Sequence, residues 1–281
     1  MRICHVITRL IVGGAQENTL LTCRELLGRG HEVTLVAGAE TGSEGSLLER
    51  ARADGSRVEL VGALGRRVDP IRDWMALQAL RELLGSLQPQ VVHTHSSKAG
   101  ILGRVAARDV AVPIIVHTIH GMSFNRTQVR PVRWLYANLE RYCADFTDRL
   151  ISVAEAMTSQ AVAAGIAGPE RFVTIYSGME LWRFEPRLYD RQEVRRQLGL
   201  PAEAVVVATV ARLSAKKGYE QLIPVMARVA GRDERVHFVW IGDGPKRQEY
   251  EEQLGQLGLR ERVRLVGLVM PERIAGLLLA A

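Results

Sequence analysis

At 281 residues the chain has room for one large or two modest domains. Apolar residues at 47% and charged residues at 24% exclude a disordered chain, and no apolar run reaches the roughly 18 residues of a membrane span. The excess of six positive charges (37 Lys and Arg against 31 Asp and Glu) favours an anionic partner: nucleic acid, a phosphorylated substrate or an anionic membrane face.

Taken from the N-terminus, short β-branched runs at 3–8, 32–37, 57–61, 90–94, 114–118, 149–153 and 172–176 read as strands. Helical patterns such as 16–28, 70–84 and 131–146 fill the gaps between them. Strand–helix alternation with near-continuous apolar strands predicts an α/β fold, a parallel sheet covered on both faces. Seven such strands make one doubly wound domain over 1–178. The stretch 179–190, with Trp182, Phe184 and Pro186, breaks the rhythm and reads as an interdomain linker. The pattern then restarts over 191–281 with strands at 204–211, 236–241 and 263–266. Helices fall at 191–198, 217–230, 246–257 and 271–281. Three strands are few for a doubly wound sheet, so this second domain is expected to be partial and the sequence a fragment. Cys4, Cys23 and Cys143 are scattered and odd in number, which reads as core thiols in a reducing compartment. The short apolar run at the N-terminus lacks a cleavage signal, so a cytoplasmic protein is expected.

Polar motifs gather where strands end. Gly13-Gly14-Ala15-Gln16 follows the first strand and opens a helix; glycine lets backbone approach a ligand, and free helix N–H groups favour an anion. It is not the dinucleotide fingerprint, and the second strand ends apolar, without the acid that holds a ribose. A plain strand–helix turn explains it equally well. His93-Thr94-His95-Ser96-Ser97-Lys98 closes the fourth strand and His117-Thr118-Ile119-His120-Gly121 the fifth. Ligands of open α/β sheets collect at these carboxyl ends, so both clusters suit a site lining. His93 and His95 share a strand face, but no carboxylate or cysteine joins them, so no metal is expected and a hydrogen-bonded role for His93 is preferred. Arg212 and Lys217, between a strand and a helix, can both reach one phosphoryl group, a diphosphate clamp that needs no metal; the alternative is a solvated basic loop. Gly242-Asp243-Gly244-Pro245 is explained largely as a tight turn, with nucleotide contact as the second reading.

These segments, together with Ile151-Ser152-Val153-Ala154-Glu155-Ala156-Met157 and Ile175-Tyr176-Ser177-Gly178-Met179-Glu180, resemble in order the retaining GT-B glycosyltransferases of family four. The resemblance runs the length of the chain. It implies two Rossmann-like domains facing across a cleft, the first for acceptor and the second for nucleotide sugar. It implies transfer of a sugar from a nucleotide-sugar donor to a glycan or polyprenyl-diphosphate-linked acceptor, with retention, in cell-surface polysaccharide synthesis. By resemblance Arg212 and Lys217 bind the donor diphosphate and stabilise the leaving nucleotide, and His120 sits near the transferred sugar. Gly13, Gly14, Gly242 and Asp243 join the donor side; Gln16, His95, Ser96, Lys98 and His120 join the acceptor side. No cofactor or metal is implied.

The family carries, beyond the last helix here, two glutamates eight positions apart that hold the donor sugar, so the chain as written is expected to have little transferase activity. Where the family reads Asn-Gly-Val-Asp, this chain has Ser177-Gly178-Met179-Glu180. Arg126, Arg130, Arg133 and Arg141 fall near one helical stripe beside Trp134 and Tyr136, with Val132, Leu139, Cys143 and Phe146 as the expected core face. That stripe suits peripheral docking on an anionic inner-membrane surface as well as it suits an ordinary solvated face. A nicotinamide dehydrogenase is disfavoured by the missing fingerprint, and a nucleic-acid partner by dispersed basic residues. A GT-B phosphorylase lacks a pyridoxal-phosphate lysine context. A GT-B sugar epimerase, or a remnant that only binds nucleotide or acceptor, are the alternatives.

Overall fold

The structure, a computed structural model, describes residues 1–39, 45–124 and 128–281. The chain forms two compact units, one of residues 1–39 and Ser46–Met179, the other Glu180–Ala281. The first unit runs β1 (Arg2–Arg9), α1 (Gly14–Gly28), β2 (Glu32–Gly38), α2 (Leu48–Ala53), β3 (Arg57–Val61) and α3 (Pro70–Leu87). It continues with β4 (Val91–His95), α4 (Ser97–Asp109), β5 (Ile114–Ile119), α5 (Arg130–Ala144), β6 (Arg149–Ser152), α6 (Glu155–Ala163) and β7 (Phe172–Thr174).

All seven strands form one parallel sheet in the order β3-β2-β1-β4-β5-β6-β7. The reversal of direction between β1 and β4 is the switch point where an open α/β sheet splays its connections and leaves a crevice at the carboxyl ends. The strands read almost continuously apolar because both faces are covered. One face packs Cys4, Val6, Val92 and Ile115 under α3 and α4, and the other packs Ile7, Leu35 and Ala37 under α1. α4 lies close to the sheet because its inner face is small: a Cβ at Gly100 would come within 2.6 Å of His117 Cε1, and one at Gly103 within 2.8 Å of Thr94 Cγ2. The start of α3 is set by Asp69, whose carboxylate accepts from the Ile71 and Arg72 amides at 3.1 Å, with Pro70 in the first turn.

Two boundaries differ from the sequence reading in ways that matter. β4 ends one residue later than expected, which places His95 inside the strand and buries it. In α5 the first buried residue is Ala137, so Val132, expected in the core, is exposed. All three cysteines are free and buried.

In the second unit, residues 180–190 make two 3-10 turns, Leu181–Phe184 and Pro186–Leu188. Then follow α7 (Arg191–Gln197), β8 (Val205–Val210), α8 (Tyr219–Ala230), β9 (Val236–Ile241), α9 (Arg247–Gln256), β10 (Val263–Gly267) and α10 (Pro271–Leu278). The three strands form a parallel sheet in the order β10-β9-β8. The central strand β9 is buried at every residue, whereas β8 exposes Val205, Val207 and Val210. Tyr219 packs against Trp240 and Tyr250, ring centroids 4.6 and 5.0 Å away, anchoring α8 and α9 to the sheet. No helix among the described residues is long and apolar enough to cross a membrane.

Candidate functional site

In the first unit, the polar side chains singled out in the sequence converge at the carboxyl edge of β1, β4 and β5. His5 of β1 lies opposite His93 of β4, and alternation places His95 on the same face. His5 Nδ1 and His95 Nε2 are 3.0 Å apart, and His95 Nδ1 and His120 Nε2 3.1 Å apart, so three imidazoles form one chain. His93 Nε2 contacts Thr118 Oγ1 at 2.7 Å, and His117 Nδ1 contacts Thr94 Oγ1 at 2.9 Å. Burial pushes the pKa of His5 and of His120 down to about 4, and those of His93, His95 and His117 well below 6.5. All five rings are therefore neutral at pH 7.

Neutrality fixes the proton order along the chain. Each contact needs one N–H and one lone pair. If the protons sit on Nε2, the buried His5 Nε2, which has no partner among the described residues, becomes an unpaired donor. If they sit on Nδ1, that atom is only a bare lone pair, the less costly orphan. The second order makes His5 donate to His95, and His95 donate to His120. His120 then carries its proton on Nδ1, as an uncharged donor.

His120 lines a narrow cleft together with Ser96, Ser97, Thr118, Ser123 and Glu140. Glu140 is held by the fully buried Arg104, whose Nη2 donates to Oε2 at 2.6 Å. Ser96 sits at φ 62°, ψ 165°, a region nearly exclusive to glycine and costing about 1–3 kcal/mol. Its hydroxyl is pinned by Thr8 Oγ1 at 2.7 Å, which in turn accepts from the Ala99 amide at 3.2 Å. The strained turn is thus held in place from a neighbouring strand end, beside the cleft.

Other candidates in this unit sit differently. His95, placed on the acceptor side by the sequence, is 1% exposed: its ring is closed off from solvent and contacts His120 instead of lining the cleft. The Lys98 ammonium pairs with Asp73 of α3 at 2.5 Å and caps the Arg67 carbonyl, so it braces α3 against α4. Gly13 and Gly14 need no glycine for packing: a Cβ at Gly14 meets no protein atom within 4 Å, and one at Gly13 meets only the mobile end of Gln16, at 2.9 Å. At β2, by contrast, a Cβ on Gly38 would fall 1.8 Å from the Leu64 carbonyl. No side chain can stand at that strand end, so the acidic residue that would hold a dinucleotide ribose has no room there, which argues against a nicotinamide enzyme.

A metal set is closer than the sequence suggested, because β1 adds His5 to His93 and His95. Their ligand-capable nitrogens lie within 4.8 Å of one another. A tetrahedral zinc needs ligand nitrogens about 3.3 Å apart, and here one nitrogen pair is already joined as a hydrogen bond. The geometry is that of a hydrogen-bonded relay. His5, Arg104 and Glu140 were missed in the sequence, and Thr8 stood out only as the start of the segment leading to Gly13 and Gly14. Only the repeated His-Thr spacing hinted at the relay, since its first member lies 90 positions from its partner.

In the second unit, Arg212 and Lys217 lie on the single connection that leaves the carboxyl end of β8. Arg212 is half-buried; Lys217 is exposed and ends the 3-10 turn Ala215–Lys217, just before Gly218 at φ 77° opens α8. The Gly242–Pro245 turn zips against the same connection. The Leu213 amide donates to the Asp243 carbonyl and the Lys246 amide to the Leu213 carbonyl, both at 3.1 Å. A Cβ on Gly242 or Gly244 would fall 2.3 Å from the Ala211 or Leu213 carbonyl. Asp243 is committed to the Gly244 amide at 2.7 Å and Arg247 at 3.0 Å. The Gly-Asp-Gly-Pro turn therefore shapes the connection that carries Arg212.

Comparison with known proteins matches residues 13–178 to the glycosyl transferase 4-like domain and residues 190–281 to the glycosyl transferases group 1 domain. An Escherichia coli UDP-Gal:alpha-D-GlcNAc-diphosphoundecaprenol alpha-1,3-galactosyltransferase is 30% identical over 272 residues, 95% of this chain and 68% of the relative. The D-inositol 3-phosphate glycosyltransferase 1 of Catenulispora acidiphila is 30% identical over 190 residues, 62% of this chain; the match spans only 44% of that relative's length. Among solved structures, Anabaena HepE in complex with UDP and glucose shares the fold with a TM-score of 0.81 at 20% identity, over 100% of this chain and 72% of that one.

Proposed function

The chain belongs to the GT-B glycosyltransferases of family four, and on that premise we propose that it moves a sugar from a nucleotide-sugar donor to a polyprenyl-diphosphate-linked or glycan acceptor, with retention, in the assembly of cell-surface polysaccharide. The observation that carries this reading is the pairing of two cations, Arg212 and Lys217, on one short connection at a strand's carboxyl end. A leaving nucleoside diphosphate gains negative charge as the anomeric C–O bond breaks, and fixed cations stabilise that charge without a metal. The acceptor hydroxyl attacks the same face of the oxocarbenium-like sugar; its O–H bond breaks, the new C–O bond forms, and the proton leaves on the departing phosphate.

His120 fits the reaction as a neutral hydrogen-bond donor to the sugar, with Ser96 and Thr118 beside it on the acceptor side. Gly13 and Gly14 bring backbone N–H groups to a phosphate, with the open space over Gly14 in support. The acceptor class rests on the diphosphoundecaprenol-linked substrate in the name of the Escherichia coli relative. The test is transfer of radiolabelled sugar from UDP- and GDP-sugars to a polyprenyl-diphosphate-linked acceptor by the purified protein, with product linkage read by NMR. A product linkage that retains the donor's configuration supports the reading, even at the low turnover expected of the chain as written; an inverted product, or failure to bind any of these nucleotide sugars, overturns it.

A further inference from the structure

The cleft beside His120 carries a charge opposite to that of the chain around it. The chain has an excess of six positive charges, yet the described lining holds no lysine or arginine, and its histidines, His117 and His120, are neutral. Of the arginines expected along the α5 stripe, Arg126 lies outside the described residues, and Arg141 is tied to the Ala164 and Gly165 carbonyls. Glu140 of α5 is the single charged group of that lining. Its side chain is 9% exposed, so the carboxylate stands in the wall of the cleft and not on the surface. Carboxylates are seldom kept so deep without a partner.

Arg104 of α4 supplies that partner from behind. It is fully buried and takes no part in the lining. Its Nε donates to the Gly100 carbonyl at 2.7 Å and its Nη2 to Glu140 Oε2 at 2.6 Å. A simple tether between α4 and α5 would engage both carboxylate oxygens in the fork that arginine offers. Here Arg104 Nη1 is buried without a partner, and Glu140 Oε1 accepts no hydrogen bond among the described residues. One oxygen is fixed and the other is left to the cleft. Donors complete the wall: His120 through its uncharged Nδ1–H, and Ser123, whose buried Oγ has no partner among the described residues. A hydroxyl both donates and accepts, so it can give its proton to Oε1 and take a bond from either neighbour. A phosphate or carboxylate only accepts, and it would meet a like charge.

We propose that Glu140 is a specificity residue: its free oxygen accepts a hydrogen bond from a hydroxyl of a neutral sugar, and its charge turns away a sugar that presents a carboxylate or phosphate there. The cleft is narrow, so one such group enters and not a whole ring. The inference rests on the sugar-transfer reading for its ligand class and deepens it. The phosphates of the donor belong with Arg212 and Lys217, while the group that meets His120 and Glu140 is uncharged.

Long-range 1H–15N spectra of the 281-residue protein at pH 7, read at the His120 ring, test it. The probes are methyl glycosides of glucose, galactose and mannose, each paired with the glycoside of its uronic acid. At least one neutral glycoside should shift His120, and its uronate should bind about tenfold more weakly or worse, the worth of one charge-assisted hydrogen bond. Glu140→Gln can still accept from Arg104 but has lost the charge. It should bind the neutral glycoside about tenfold more weakly and separate it from the uronate by no more than about twofold. That variant strips a buried guanidinium of its counter-charge, which destabilises strongly. Arg104→Met/Glu140→Leu is therefore read beside it; it removes both charges, should still melt cooperatively, and should show the same loss. Neutral glycosides that leave His120 unmoved overturn the proposal, as does a wild type that binds the uronate equally well. Variants that keep the preference also overturn it, because Glu140 is then only the partner of Arg104. Calorimetry with UDP- and GDP-sugars is read in parallel: if none binds while the glycoside preference holds, the proposed function falls and this inference stands.

Discussion

Gly14→Ala separates a glycine kept for ligand from one kept for folding. Gly14 begins α1, its φ is not among the positive values, and an added methyl meets no protein atom within 4 Å. Alanine there should stabilise the fold by about 0.4–1 kcal/mol, chiefly by restricting the unfolded chain. For a protein of this size that raises the melting temperature by about 1–4 °C. If a phosphate rests on this backbone, the methyl displaces it and weakens a charge-assisted hydrogen bond worth about 1.5–3 kcal/mol. That is about a 10- to 150-fold loss of affinity. Thermal melts and calorimetric titration with UDP and GDP measure both quantities on one sample. A variant that melts no lower than wild type and binds nucleotide at least tenfold more weakly supports the account. Unchanged binding, or a drop of several degrees in the melt, refutes the reasoning.

Three other outcomes follow from the geometry. Gly242→Ala should behave in the opposite way, destabilising by about 1–3 kcal/mol, because its Cβ would meet the Ala211 carbonyl at 2.3 Å with φ at 136°; a melt equal to wild type would show that the turn yields. Acid should weaken the fold through the buried histidines. With a folded pKa near 4 against 6.5 for the ordinary group, His5 is neutral in both states above pH 6.5. Below that the unfolded chain takes up the proton and the folded one does not. Stability present above pH 6.5 is therefore lost as pH falls toward 4, by about 3 kcal/mol for His5 at the limit, with His93, His95 and His117 acting in the same direction. Urea unfolding at pH 8, 6.5 and 5 checks this, and a flat or rising stability toward acid would contradict it. Finally, long-range 1H–15N spectra at pH 7 should find His120 protonated on Nδ1, shifting to Nε2 in His95→Leu; Nε2 protonation in the wild type would show that the relay runs the other way.

Much of the fold was legible because its signals are local. Strand and helix positions followed from apolar periodicity, and the candidate site's location followed from polar residues at strand ends. What depended on distant pairing was not legible. Nothing near His5 announces that β1 will lie beside β4 and supply the innermost imidazole of the relay. Lys98 read as a ligand contact because its partner, Asp73, lies on another helix. His95 read as exposed because β4 was ended one residue early, and one residue at a strand end decides between lining and core. Val132 was placed inside by helical periodicity alone, yet periodicity gives a face and not how far the core extends along it. The first two turns of α5 contain no buried residue.

Nucleotide affinity is the most direct test of the central claim, measured by calorimetry for UDP and GDP with wild type, Arg212→Ala and Lys217→Ala. The account predicts binding of at least one of these nucleotides and about a tenfold or greater loss in each variant, the worth of one charge-assisted contact to a diphosphate. Binding that survives both substitutions within twofold would contradict it.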